Sequence, residues 1–168
     1  VGECVEHRGQ CYGLVAPPKF DKPSPFYIYG GIVFVPIDST MLSYLDCNAS
    51  GIDNPMWQTP AKKELVAVLS VLPADVNFGY HDMRLWVVSK VNGQAVKDFS
   101  QFAQTLENNQ AKNVIFENDS GYQMIINHAE AKKSEADIFK LYKITARYSE
   151  GLFSKTPLEN AKFNANRR

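Results

Sequence analysis

The side chains best suited to acid–base, nucleophilic or metal chemistry in this sequence are three histidines and three cysteines: His7, His81, His128, Cys4, Cys11 and Cys47. Cys4, His7 and Cys11 share one short stretch and have a faint metal-ligand look. A tetrahedral zinc site needs four ligands, and no second CxxC or HxxxH pair follows. The stretch therefore reads as unpaired thiols in a loop. Three thiols cannot all pair within one chain; Cys4 and Cys11 could bridge, or all three could be free. His81 stands beside Asp82. A base with its carboxylate still needs a nucleophile and oxyanion donors, and none is identifiable. These histidines read as surface or core residues. The expectation is no catalytic residue, no metal and no cofactor.

Composition narrows the function further. The 168 residues suffice for one domain with a proper core, and 45% of them are hydrophobic. The 18 Lys+Arg balance 18 Asp+Glu, which argues against a nucleic-acid binder, since that class carries a basic stripe. No apolar run approaches the length needed to span a bilayer. Val1 to Gln10 carry charges and lack an apolar core segment, unlike a signal peptide. The chain starts without Met and reads as a mature product or a piece of something longer.

The elements that must position any site follow from pattern. Residues 1–25 contain Pro17, Pro18, Pro23 and Pro25, which break helices and favour extended chain; this is a Pro-rich linker or edge segment. Phe26 to Ile37 is a dense aromatic and β-branched run, hence strand, interrupted by Gly30-Gly31. Glycines there mark a bend, a bulge or a close approach of another backbone. A short helix over Met41 to Leu45 precedes a loop. Glu64 to Leu72 is a strand apolar on both faces and stopped by Pro73. Leu85 to Val91 is another, followed by the turn signal Asn92-Gly93. Asp98 is an N-cap for a helix to about Asn108, with Phe99, Phe102, Ala103 and Leu106 at helical spacing. Asn113–Glu117 and Tyr122–Asn127 form a hairpin around Asn118-Asp-Ser-Gly121. Glu130 to Tyr142 is an amphipathic helix with Ile138, Leu141 and Tyr142 inward. The domain runs over 26–148, and 149–168 is a mobile tail. Strands with two or three helices over one core give an α+β fold, a small partly open barrel.

The stretch from Leu85 through Val91-Asn-Gly-Gln-Ala-Val96 to Ala103 resembles the part of Deg/HtrA PDZ domains where a strand ends in "I-N-G-x-x-V" and runs into the groove helix. Pro23-Ser-Pro-Phe-Tyr-Ile-Tyr-Gly-Gly-Ile-Val-Phe-Val-Pro-Ile37 is similar to the "P-S-Y-x-I-x-A-G-x-V-F-T-P-L" segment opening the second PDZ domain of plant-type Deg proteases. Glu64-Leu-Val-Ala-Val-Leu-Ser-Val-Leu-Pro-Ala-Asp-Val-Asn-Phe-Gly-Tyr80 is similar to that subfamily's "Q-L-V-V-L-S-Q-V-L-x-x-D-I-N-x-G-Y". Order and spacing agree, and the likeness covers roughly residues 20 to 152. The chain departs from the family at 38–63, which is shorter than the usual helical insert and carries Cys47, Pro55 and Trp57. Nothing matches the trypsin-like "G-N-S-G-G-P" nucleophile loop.

The resemblance implies a PDZ-like α+β fold and a non-catalytic protein- or peptide-binding and oligomer-assembly module of a larger Deg/HtrA-like serine endopeptidase. A PDZ groove works by β-augmentation, in which an extended peptide joins an exposed strand edge. Tyr29, Gly30, Gly31 and Ile32 stand where the carboxylate-binding loop belongs. Val33, Phe34 and Val35 continue Ile32 as the receiving strand. Phe99, Phe102, Ala103 and Leu106 line the groove helix, some of them turned to the core. Bulky Tyr27 and Tyr29 flank the loop, so the groove is expected to be narrow or self-occupied. The alternative is an open groove that tethers substrate or regulatory C-terminal peptides; an independent small enzyme is a third reading without a constellation behind it. Implied partners are protein or peptide segments, including neighbouring subunits of an oligomeric parent, with no nucleic acid and no membrane span. The compartment is the cell envelope or periplasm if the source is bacterial, and an organelle if it is plant-like.

Overall fold

A computed structural model describes residues 6–7, 10–11, 13–15, 23–42 and 58–153. The predicted features at Cys4, Cys47 and Trp57, and the tail beyond 153, lie outside them. The aromatic run from Phe26 to Ile37 folds back on itself as a hairpin. β3 (Tyr27–Tyr29) and β4 (Ile32–Pro36) pair antiparallel, joined by Gly30 and Gly31 at φ 54° and 82°. Two successive positive φ values make the mirror-image turn that matches the twist of paired strands, and Gly-Gly meets that demand without a Cβ penalty. Ahead of this hairpin, β1 (Glu6–His7) and β2 (Gln10–Cys11) form a separate two-stranded ladder.

β4 next pairs with β5 (Val66–Val71), and β5 with β6 (Trp86–Val88), giving an antiparallel sheet in the order β3-β4-β5-β6. A second sheet has the order β10-β9-β7-β8, with β7 at Lys90–Val91, β8 at Gln94–Ala95, β9 at Asn113–Glu117 and β10 at Gln123–Asn127. Ser89 joins the two sheets. It separates β6 from β7, and its backbone N–H and hydroxyl both donate to Glu117 O, at 2.8 and 2.9 Å. One bent strand thus serves both sheets, and the barrel stays open.

Among the described residues, three α-helices complete the fold: α1 (Ser39–Leu42), α2 (Phe99–Glu107) and α3 (His128–Tyr142), with a 3₁₀ turn at Asp75–Asn77. Asp98 caps α2 by accepting from Gln101 N at 2.8 Å, as its sequence position requires. Asn127 caps α3, accepting from Glu130 N at 3.1 Å. The core centres on Phe34, Phe102 and Phe116. Phe34 lies 4.9 Å from each of the other two, centroid to centroid. Burying each such ring contributes roughly 1.5–3 kcal/mol. A smaller cluster of Leu14, Ile37, Leu65, Ala67 and Val87 closes the other face, so the N-terminal segment read as a linker adds Leu14 to the packing. Leu141, expected inward on α3, is instead 70% exposed. Ala131 and Ile138 are the buried residues of that helix, Ala131 beside Gly30 and Ile138 beside Gly31.

Candidate peptide-binding site

Strand, loop and helix of the expected groove do come together, but in a closed arrangement. Phe102 of α2 packs on Phe34 of β4, so the helix and the strand share one side of the core. Phe99, Ala103 and Leu106 are also buried, at 2% exposure or less; the helix gives all four predicted residues to the core. β4 is paired on both sides. Ile32, Val33 and Phe34 face Tyr29, Ile28 and Tyr27 across one edge, and β5 takes the other. Of the expected receiving strand Ile32–Val35, the edge of Ile32, Val33 and Phe34 away from β5 is held by the chain's own β3.

The Gly30-Gly31 loop is a tight, buried turn. Both glycines are buried. A Cβ on Gly30 would stand 3.3 Å from Ala131 Cβ of α3. A Cβ on Gly31 would stand 2.6 Å from Asn77 Nδ2 and 2.8 Å from Leu72 O. Asn77 is fully buried and ties the turn down. Its Nδ2 donates to Gly30 O and to Leu72 O, both at 2.8 Å, and its Oδ1 accepts from Ala74 N. Leu72 N donates in turn to Gly31 O.

β3 is locked at both of its tyrosines. Tyr27 OH donates to Glu107 Oε1 at the end of α2, at 2.8 Å, and accepts from Arg147 Nη2 at 2.9 Å. Tyr29 OH lies 2.7 Å from His128 Nδ1 at the start of α3. Burial pushes both phenol pKa values far above the ordinary value, with Arg147 opposing. Both rings therefore stay neutral donors. Burial also lowers the His128 pKa, helped by Lys132 and Arg147, which favours the neutral imidazole that can accept from Tyr29.

Arg147 gathers the remaining charges. Its Nε meets Glu135 Oε1 at 2.9 Å and its Nη1 meets Glu107 Oε1 at 3.3 Å, while its guanidinium sits 5.3 Å from the Tyr27 ring centre. Burial raises the Glu135 pKa, and Arg147 pulls against that rise. The backbone beside Arg147 seals the outer edge of β3. Ile28 N donates to Arg147 O at 2.8 Å, Ser149 N to Phe26 O at 3.0 Å, and Phe26 N to Ser149 Oγ at 2.8 Å. Sequence reasoning named Tyr27 as a flank and missed Glu107, Glu135 and Arg147 around it, and Asn77 as the fastener of the glycine turn. The only signal for Asn77 was its place in the Asp75-Val-Asn77-Phe-Gly-Tyr80 stretch.

Two of the candidate histidines, His81 and His128, make packing contacts. His81 Nε2 lies 3.3 Å from Ala74 O and its ring meets Phe78 edge-on, while His128 is engaged by Tyr29. Among the described residues, no group of three or more His, Cys, Asp or Glu is placed to hold a metal ion, and no helix is long and apolar enough to cross a membrane.

Comparison with known proteins agrees with this architecture. The family model for the PDZ domain matches residues 15–151. The chain belongs to the PDZ domain family. This PDZ domain is 27% identical over 151 residues to putative protease Do-like 3, mitochondrial, of Arabidopsis thaliana, covering 89% of this chain and 26% of that protein. It is 28% identical over 130 residues to putative protease Do-like 12, mitochondrial, covering 77% and 24%. Protease Do-like 4, mitochondrial, is 29% identical over 136 residues, covering 78% and 24%; both are also from Arabidopsis thaliana. The chain thus spans about a quarter of the length of the curated relatives it matches. A PDZ domain similar to those of plant-type Deg proteases is a protein-interaction module, and the two four-stranded antiparallel sheets and three helices among the described residues make an α+β fold that is not a closed barrel.

Proposed function

We propose that this PDZ domain is a non-catalytic assembly module of a longer Do-like serine endopeptidase, with neighbouring subunits as its partners. The observation that carries the reading is the pairing of β3 with β4 beside α2. A receptor for free C-terminal peptides presents an unpaired strand edge and outward N–H groups. Here the edge is taken and the glycine loop is buried. Contact with neighbours then falls to the outer surface, where Phe78 and Leu141 stand 81% and 70% exposed.

Sedimentation of the parent protein tests this, comparing wild type with Phe78→Ser and Leu141→Lys. The expected result is weaker self-association in at least one variant, with peptide titrations flat throughout. Unchanged association in both, together with micromolar binding of an ordinary C-terminal peptide, would favour the tethering role instead.

A further inference from the structure

After α3 the chain turns back over the fold as a strap. Arg147, Tyr148 and Ser149 run along the outer edge of β3, where Tyr148 makes an isolated antiparallel bridge to Tyr27. The strap continues beside α2, and Leu152 O accepts from Ser100 Oγ at 3.2 Å. Three kinds of contact hold it. Backbone bonds to Phe26 and Ile28 complete the β3 edge. The Arg147 guanidinium meets Glu107 and Glu135. The Tyr148 ring stacks on the Tyr27 ring, centroids 6.2 Å apart, and Phe153 meets both rings edge-on.

The link between α3 and the strap is built differently. It runs from Lys143 to Ala146, contains neither Gly nor Pro, and exposes Lys143, Thr145 and Ala146. Among the described residues its hydrogen bonds, from Lys143 N and Ile144 N to Phe139 O, stay within the end of α3. Lys143 is held at φ 55°, a left-handed conformation that strains a residue with a Cβ. The strap is thus fastened only to elements that precede the link, by a link that carries strain.

If the strap lifts, the outer edge of β3 loses its partner, and an unpaired edge accepts another strand. The strand that fits must carry an arginine for Glu107 and Glu135 and, beside it, an aromatic ring for Tyr27. A second copy of this chain carries both at the right spacing. Reciprocal exchange remakes every one of these contacts, relaxes Lys143, and leaves only the cost of bringing two chains together.

We propose that Arg147–Phe153 is an exchangeable strap, delivered by one copy of the chain to the β3 edge of a second copy, which returns its own. This exchange rests on the assembly role above and gives it an element: each subunit completes the edge of its neighbour's β3-β4-β5-β6 sheet.

The test shortens the link. Deleting Thr145 and Ala146 removes about 7 Å of extended chain, which bars closure onto the same copy and leaves exchange open. The shortened chain should sediment as a dimer, with hydrogen exchange at the Ile28 amide as slow as in wild type. A folded monomer would overturn the proposal, and so would a dimer whose Ile28 amide exchanges fast. An unfolded shortened chain would pass the decision to a mixture of two variants with the link intact. ¹⁵N-labelled Arg147→Ala keeps both carboxylates, and unlabelled Glu107→Gln, Glu135→Gln keeps its strap. Mixing them should slow exchange at the labelled Ile28 amide about tenfold; no slowing would overturn the proposal. Phe78→Ser and Leu141→Lys leave the strap untouched, so the shortened-link dimer should survive both. Its loss in either variant would place the contact on that outer surface, overturning exchange while the assembly role stands.

Discussion

Replacing Gly31 by alanine tests how tightly the Gly-Gly turn is held. At φ 82° the new Cβ incurs the left-handed penalty, about 1–2 kcal/mol. It also meets Asn77 Nδ2 at 2.6 Å and Leu72 O at 2.8 Å, too close for either to remain in place. Displacing Asn77 breaks its buried bonds to Gly30 O and Leu72 O, a further loss of about 1–3 kcal/mol. The whole effect is about 2–5 kcal/mol, a large share of the roughly 5–15 kcal/mol that holds a domain together. Gly93 supplies the control. Its φ of 79° is nearly the same, but a Cβ there meets nothing within 4 Å, so Gly93→Ala should cost only the backbone part, about 1–2 kcal/mol. Urea unfolding of both variants, followed by tryptophan fluorescence, reads the difference. Equal losses would refute the claim that the turn is clamped by Asn77 and Leu72.

Three further outcomes follow from the packing and the charges. Leu106→Ala removes a fully buried side chain from α2 and should cost about 2–5 kcal/mol in the same unfolding assay. Arg147→Met leaves Glu107, Glu135 and Tyr27 without their shared cation; with about a fifth of the side chain exposed, the cost should be about 1–3 kcal/mol. Hydrogen exchange at the Ile28 amide, which is bonded to Arg147 O, should quicken in that variant. The His128 pKa is lowered in the folded chain, so the unfolded chain binds more protons just below the usual 6.5. Its contribution is complete above that value and is lost as the pH falls through it toward the folded pKa. Wild type should therefore lose stability relative to His128→Gln between about pH 7 and pH 5, and parallel pH profiles would contradict this.

Most of the fold was legible because local signals agreed with tertiary demand. Asp98 and the Phe99, Phe102, Ala103, Leu106 spacing fixed α2 almost to the residue, and Asn92-Gly93 marked the turn between β7 and β8. The Gly-Gly pair was read as a bend or a nest, yet its dipeptide is equally the signal of a two-residue hairpin. What hid the hairpin was the uniformly apolar sequence on either side. Tyr27, Ile28 and Tyr29 are all buried, so no alternation revealed where one strand ended and its partner began. The fasteners were illegible for a different reason. Arg147 reaches Ile28 across 119 positions and Asn77 reaches Gly30 across 47, and such long-range polar contacts leave no local pattern. Leu141 shows the converse failure, since helical spacing placed it inward while only Ala131 and Ile138 of that helix are buried.

The central claim is that β3 takes the edge of β4 that an added peptide would need. The most direct test is a titration of the ¹⁵N-labelled chain with a short peptide bearing an apolar residue and a free carboxylate at its C-terminus, followed at the backbone amides of Ile32, Val33, Phe34 and Val35. Those four resonances should stay fixed to the highest peptide concentration reached. Saturable movement of the four at micromolar peptide, with loss of the Ile28 to Val33 pairing, would show that the strand leaves and that the groove is a peptide receptor.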